Sequence, residues 1–314
     1  MKRYIKIMKS LIEEYDFDLQ MALETHDLRE YYSYDKIYNY NSKEELEEAN
    51  YTRRLRLATA MLYSTEFEDE EIEELADIFF LYEFKNKKEI TFTKGDVLDI
   101  LDSIRAKYKE IDDFKFFNRI KKLDSNCKIN CIKKSNIKGI ENLLIEECIE
   151  ITINLKEYDT ASKLIDEWIK EQKEWNVDNL GKLYYFERDR KNYKGQLLAE
   201  EKIINIVKKS SDNDEISERL NKYAKDLISF KYYNKAEKTL KEIMPYLEKT
   251  DVTWYETILG QAVLENYIDL ILENPENKKR KKLWNEIKPY LEKTKNYMPI
   301  VLKRKIEKAK ESIA

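Results

Sequence analysis

Glycine occurs only 5 times and proline only 4 times in 314 residues, and this scarcity constrains the fold more than any other feature. Tight turns draw on Gly for positive φ and on Pro for a fixed φ. A chain this poor in both cannot close the many hairpins a sheet demands. Long helices joined by short polar turns need neither residue, and the abundant Lys, Glu and Leu carry the required propensity. The expected class is therefore all-α. With hydrophobic residues at 42%, the chain can bury a sizeable core as one array or as two domains.

Charge narrows the range of functions. The 58 basic and 62 acidic side chains leave a net charge of −4, near balance, whereas a general nucleic-acid coat needs a basic excess. No run of 18 apolar residues occurs, so no transmembrane helix is expected. The beginning, MKRYIKIMKSLIEEYDF, is interrupted by Glu13, Glu14 and Asp16 and lacks the apolar stretch of a secretory signal. Three cysteines do not make a disulfide framework, which points to reducing cytoplasm. Richness in Lys, Ile, Asn and Tyr points to an AT-rich bacterial genome.

Along the chain, a first helix is expected from about Arg3 to Leu23, followed by a Tyr-rich loop or broken helix at 31–42. Ser42 and Glu45 form a capping-box pattern ahead of KEELEEANYTRRLRLATAMLY. Another helix, from about Asp69 to Phe84, holds Glu68, Asp69, Glu70, Glu71, Glu73 and Glu74 in its first turns, where carboxylates suit the positive end of its dipole. ITFT at 90–93 alternates like one short strand, and Thr93 can cap a helix carrying Val97, Leu98, Leu101 and Ile104. The polar segment from Lys121 to Ile140 reads as a joint, giving an N-terminal helical module over 1–140 and a second region over 141–314.

The second region repeats itself. Leu155, Tyr158, Ala161, Ile165 and Trp168 match Phe230, Tyr233, Ala236, Leu240 and Ile243. Tyr193 falls 35 residues after Tyr158 and 40 before Tyr233. The helical logic is an aromatic that closes the turn between paired helices and a small Ala that lets the second helix approach the first. LKEIMPYLEKT (240–250) returns as WNEIKPYLEKT (284–294), with Pro245 and Pro289 in one register. Proline inside a helix normally kinks it, so a kink is expected at both.

EYDTA, YYNKA and the LGxxY of Leu180, Gly181 and Tyr184 resemble the tetratricopeptide repeat over about 141–295, with the last helix as a cap. The resemblance implies a right-handed solenoid of antiparallel helix pairs and a concave groove for a protein or peptide. First helices near 141–158, 179–190, 215–230 and 254–272 would line that groove. Tyr184, Arg188, Asn221 and Lys225 are the candidate partner contacts, chosen by position and not by motif.

Catalytic equipment is sparse. His26 is the one histidine, the usual proton shuttle near neutral pH, and it lies in ETHDLRE with no surrounding motif. Cys127, Cys131, Cys148 and His26 lack the paired spacing of structural zinc. Asp96, Asp99 and Asp102, and Glu146, Glu147 and Glu150, read as solvated helix faces. No phosphate-binding glycine loop or nucleophile elbow appears. Neither enzyme activity, a cofactor nor a metal is expected. Two other readings remain. One is an inhibitor or immunity-type protein acting through the acidic face at 66–77; the other is a nucleic-acid accessory factor using residues 278–311, with 13 basic and 4 acidic side chains. The sequence leaves the oligomeric state open.

Overall fold

The computed structural model describes residues 1–25, 28, 43–86, 97–108, 138–209, 212–294 and 298–313. Every regular element among them is helical. His26, the Tyr-rich segment, the Ser42 cap, ITFT, Thr93, Asp96, Cys127 and Cys131 lie outside the described residues, as do the side chains of Asp99 and Asp102. The chain divides into two compact units, Met1–Glu171 and Gln172–Ala314.

The first unit contains α1 (Arg3–Glu13), α2 (Asp16–Thr25), α3 (Lys43–Tyr63), α4 (Asp69–Asn86), α5 (Val97–Tyr108), α6 (Ile145–Asn154) and α7 (Tyr158–Glu171). The single first helix expected to Leu23 is instead broken after Glu14. There Tyr15 N–H bonds to Ile12 O at 2.8 Å, tightening the last turn, and the Tyr15 hydroxyl donates to Glu157 Oε1 at 2.8 Å. Arg56 pairs with the same carboxylate at 2.6 Å. Helix α1 buries Tyr4, Ile5, Met8, Leu11 and Ile12 on one stripe, against α3, α6 and α7. Tyr4 donates to Leu143 O at 3.2 Å. The helix pair that carries EYDTA thus packs with the N-terminal helices. Glu83, 1% exposed, is held by Arg54 at 2.5 Å, a buried charge tolerated because its partner is present.

The second unit contains α8 (Val177–Asp189), α9 (Tyr193–Val207), α10 (Asn213–Ser229), α11 (Tyr233–Thr250), α12 (Ile258–Glu273), α13 (Asn277–Lys293) and α14 (Ile300–Ile313). Neighbours pack in sequence as α8–α9, α10–α11 and α12–α13, while α10 also touches α9 and α12, and α14 closes on α12 and α13. One continuous core runs through the unit, from Leu180 and Ile203 through Leu227, Leu240 and Tyr267 to Leu302 and Ile306.

The matched positions occupy matched places. Leu155, Arg190 and Phe230 cap the C-terminal ends of α6, α8 and α10, and the next residue is left-handed each time: Lys156 (φ 61°), Lys191 (φ 63°) and Lys231 (φ 65°). In each turn the lysine N–H bonds back to a carbonyl three residues earlier, and the following N–H to one five residues earlier. That is the Schellman arrangement, and it satisfies two carbonyls that the helix end would leave open. A tyrosine then begins the next helix. Ala161 and Ala236 are fully buried, as are Ile165 and Leu240. Helices α11 and α13 continue past Pro245 and Pro289 to Thr250 and Lys293, with both prolines on exposed positions.

Candidate partner-binding face

Helices α8 and α10 carry the four positions expected to meet a partner. Both start at side-chain caps: Asn176 accepts from Asn179 N–H at 2.8 Å, and Asp212 accepts from the N–H groups of Asp214 and Glu215 at 3.0 and 3.2 Å. On α8 the inward stripe is Leu180, Leu183, Tyr184 and Glu187, at i, i+3, i+4 and i+7, with Phe186 buried beside it. Tyr185 therefore turns outward and is 50% exposed.

Tyr184 is buried. Its hydroxyl donates to Asp226 Oδ2 at 2.8 Å, and Gln196 Nε2 donates to the Tyr184 hydroxyl at 2.9 Å and to Asp226 at 3.1 Å. Burial, then the Asp226 carboxylate, pushes the Tyr184 phenol above its ordinary range, so it stays protonated as a donor. The residue bolts α8, α9 and α10 together. Lys222 Nζ lies 3.5 Å from the Tyr184 ring centroid and 5.7 Å from that of Tyr185. The same ammonium reaches the fully buried Glu200 at 3.2 Å, with Arg219 at 3.7 Å from the other carboxylate oxygen.

Arg188 is exposed, pairs with Asp189 at 2.7 Å and places its guanidinium carbon 4.8 Å from the Tyr185 ring. Asn221 is half-buried and accepts twice from Asn266 Nδ2, through its side-chain oxygen at 2.7 Å and its carbonyl at 3.1 Å, tying α10 to α12. Lys225 is exposed on α10. Of the four expected positions, Arg188 and Lys225 are open to solvent, whereas Tyr184 and Asn221 hold helices in place. Tyr185 and Lys222 were not singled out from the sequence. The sequence carried no signal for Tyr185, because adjacent residues such as Leu183 and Tyr184 share the inward face of α8 and only packing decides which ring of the Tyr pair joins it.

No protein family, curated protein or solved structure matches this chain.

What this face offers is recognition chemistry. Tyr185 presents an aromatic surface flanked by a guanidinium and an ammonium, with the attraction of both cations to ring faces orienting the cluster. Glu200 is paired with Lys222 and Arg219, and the Tyr184 hydroxyl is engaged by Asp226 and Gln196. Among the described residues, no three His, Cys, Asp or Glu side chains are grouped to hold a metal, and no helix is long and apolar enough to cross a membrane.

Proposed function

We propose that the chain is a non-catalytic helical-repeat scaffold or sensor that holds a protein or peptide on the face shared by α8 and α10. The observation that carries this reading is Tyr185, half-exposed between Arg188 and Lys222 on two helices tied together by the Tyr184–Asp226–Gln196 hydrogen bonds. Large aromatic and Arg side chains held in place dominate binding energy at protein interfaces. The three equivalent turns at Lys156, Lys191 and Lys231 support a repeat architecture, as does the sequential pairing of helices. A tetratricopeptide-like, right-handed solenoid is the arrangement these pairs resemble, and such arrays bind partners along surfaces formed by successive first helices.

A pull-down from native-host lysate at moderate salt, using the wild type and a Tyr185→Ala/Arg188→Glu variant, tests the assignment. One protein retained by the wild type and lost by the variant is the expected result. Equal retention by both would remove α8 and α10 from the interface. A second reading has its own observation: Glu66, Glu68, Asp69, Glu70, Glu71 and Glu74 are all exposed around the start of α4. An inhibitor of a basic enzyme would use that surface, and retention that survives the α8 variant but fails after charge reversal at Glu70, Glu71 and Glu74 would favour it.

A further inference from the structure

At the far end of the second unit, α13 and α14 leave a groove between them, a cavity of about 590 Å³. Its floor is apolar, built from Trp284, Leu291, Met298 and Ile306. Trp284 is half-buried, while the other three are recessed at 6–7% exposure. Lys288, Lys303 and Lys310 stand along its edges. Glu292 and Glu307 share the lining and lie 3.8 Å from Lys288 and 2.7 Å from Lys310, whereas no carboxylate pairs with Lys303 among the described residues. Lys281, Arg304 and Lys308 add exposed positive charge on the same two helices.

We propose that this groove seats an acidic amphipathic helix from a partner protein, independently of the α8–α10 face. A third helix can lie in the trough between two packed helices, with its apolar ridge on the floor and its flanking carboxylates meeting the lysine edges. Phosphate binding needs the lysines but gives no use to the apolar floor. A flat bilayer cannot reach side chains recessed below charged edges. Of the acidic helices of a second copy, α4 buries Ile72, Leu75, Ala76 and Phe79 within its own unit and offers no apolar ridge, whereas α2 exposes Phe17 and Met21 beside Asp16 and Asp18. Concentration-dependent dimerisation lost on the lysine reversal would therefore overturn the proposal in favour of a second copy.

The test uses the full chain and fluorescence anisotropy of a labelled synthetic peptide with Leu at helical spacing and Glu on its other faces. A scrambled peptide of identical composition serves as control. The ordered peptide is expected to bind about ten-fold or more tighter than the scramble. Lys288→Glu/Lys303→Glu is expected to weaken it about ten-fold, since two attractive edge charges become repulsive. Both lysines are solvent-facing, so an unchanged melting curve verifies that this variant folds; Trp284→Ala tests the floor separately. Equal binding of ordered and scrambled peptides, no binding, or indifference to the double reversal would each overturn the proposal. So would tighter binding of phosphatidylserine vesicles or duplex DNA that the same reversal abolishes, which would assign the surface to lipid or nucleic acid instead.

Discussion

A methyl group at Gly260 would fall 1.9 Å from the carbonyl oxygen of Trp254, backbone that cannot swing aside. The Trp254 carbonyl also accepts from Thr257 Oγ1 at 2.7 Å, and that hydroxyl caps Gly260 N–H at 3.0 Å. Gly260→Ala is therefore expected to destabilise the protein by about 2 kcal/mol or more through overpacking. Gly181 has open space where a Cβ would sit. Gly181→Ala is expected to stabilise by about 0.5–1 kcal/mol through helix propensity alone. Denaturant titration of both variants reads the two signs. Cys148 gives a pH prediction. Burial, then the Glu147 carboxylate, pushes its thiol from 9.0 up to about 12. An unfolded thiol releases its proton first, so the contribution is complete below about pH 9 and is lost as pH rises towards 12. The loss is at most about 1.4 kcal/mol per pH unit. Comparing wild type with Cys148→Ala at pH 8 and pH 10 should show the stability gap shrinking at the higher pH. The LGxxY motif made Gly181 and Tyr184 visible in the sequence. Nothing in it revealed that Gly181 packs against open space while Tyr184 spans three helices, because those facts depend on neighbours remote along the chain.

Between elements, the repeated device is a Schellman turn without its usual glycine. A lysine held left-handed costs about 1–2 kcal/mol in steric terms, partly offset because glycine loses more entropy on folding. Lys231→Gly is expected to raise stability by about 0.5–1 kcal/mol, measured as a shift in the denaturation midpoint. The prolines make a second case. Pro289 interrupts the amide ladder of α13 from an exposed position, so its ring contributes little packing to weigh against the lost bond. Pro289→Ala is expected to stabilise by about 1–3 kcal/mol, and thermal unfolding would show it. The spacing of Tyr158, Tyr193 and Tyr233 made these turns legible, since each tyrosine begins a helix at one fixed step after the left-handed residue. The fourth pair was less legible. Its turn uses Asn274 and Pro275, and Arg280 donates to the Asn274 carbonyl at 2.7 Å, so the tyrosine pattern disappears there.

At the scale of the whole molecule, the unit Gln172–Ala314 has its own continuous core and its own ion pairs, among them Lys305 bridging Glu265 and Asp269 at 2.7 Å each. Residues 172–314 expressed alone are expected to unfold in one cooperative transition with strong helical circular dichroism. A broad, non-cooperative melt would mean that this core depends on the rest of the chain. The sequence by itself determined the helical class, most helix positions and the register of the paired turns. Each of these rests on local spacing: scarce Gly and Pro, apolar residues at helical intervals, and an aromatic at a fixed step from a turn. Only the tertiary structure decided which of these residues are buried and which are exposed. Tyr184 and Tyr185 are chemically identical neighbours, and one is buried against Asp226 and Gln196 while the other is presented to solvent. Likewise Leu291, Met298 and Ile306 belong to the core of the second unit yet line the floor of the groove between α13 and α14, a placement that their spacing does not reveal. Burial is a property of what packs alongside, and sequence spacing carries that information only within a single helix.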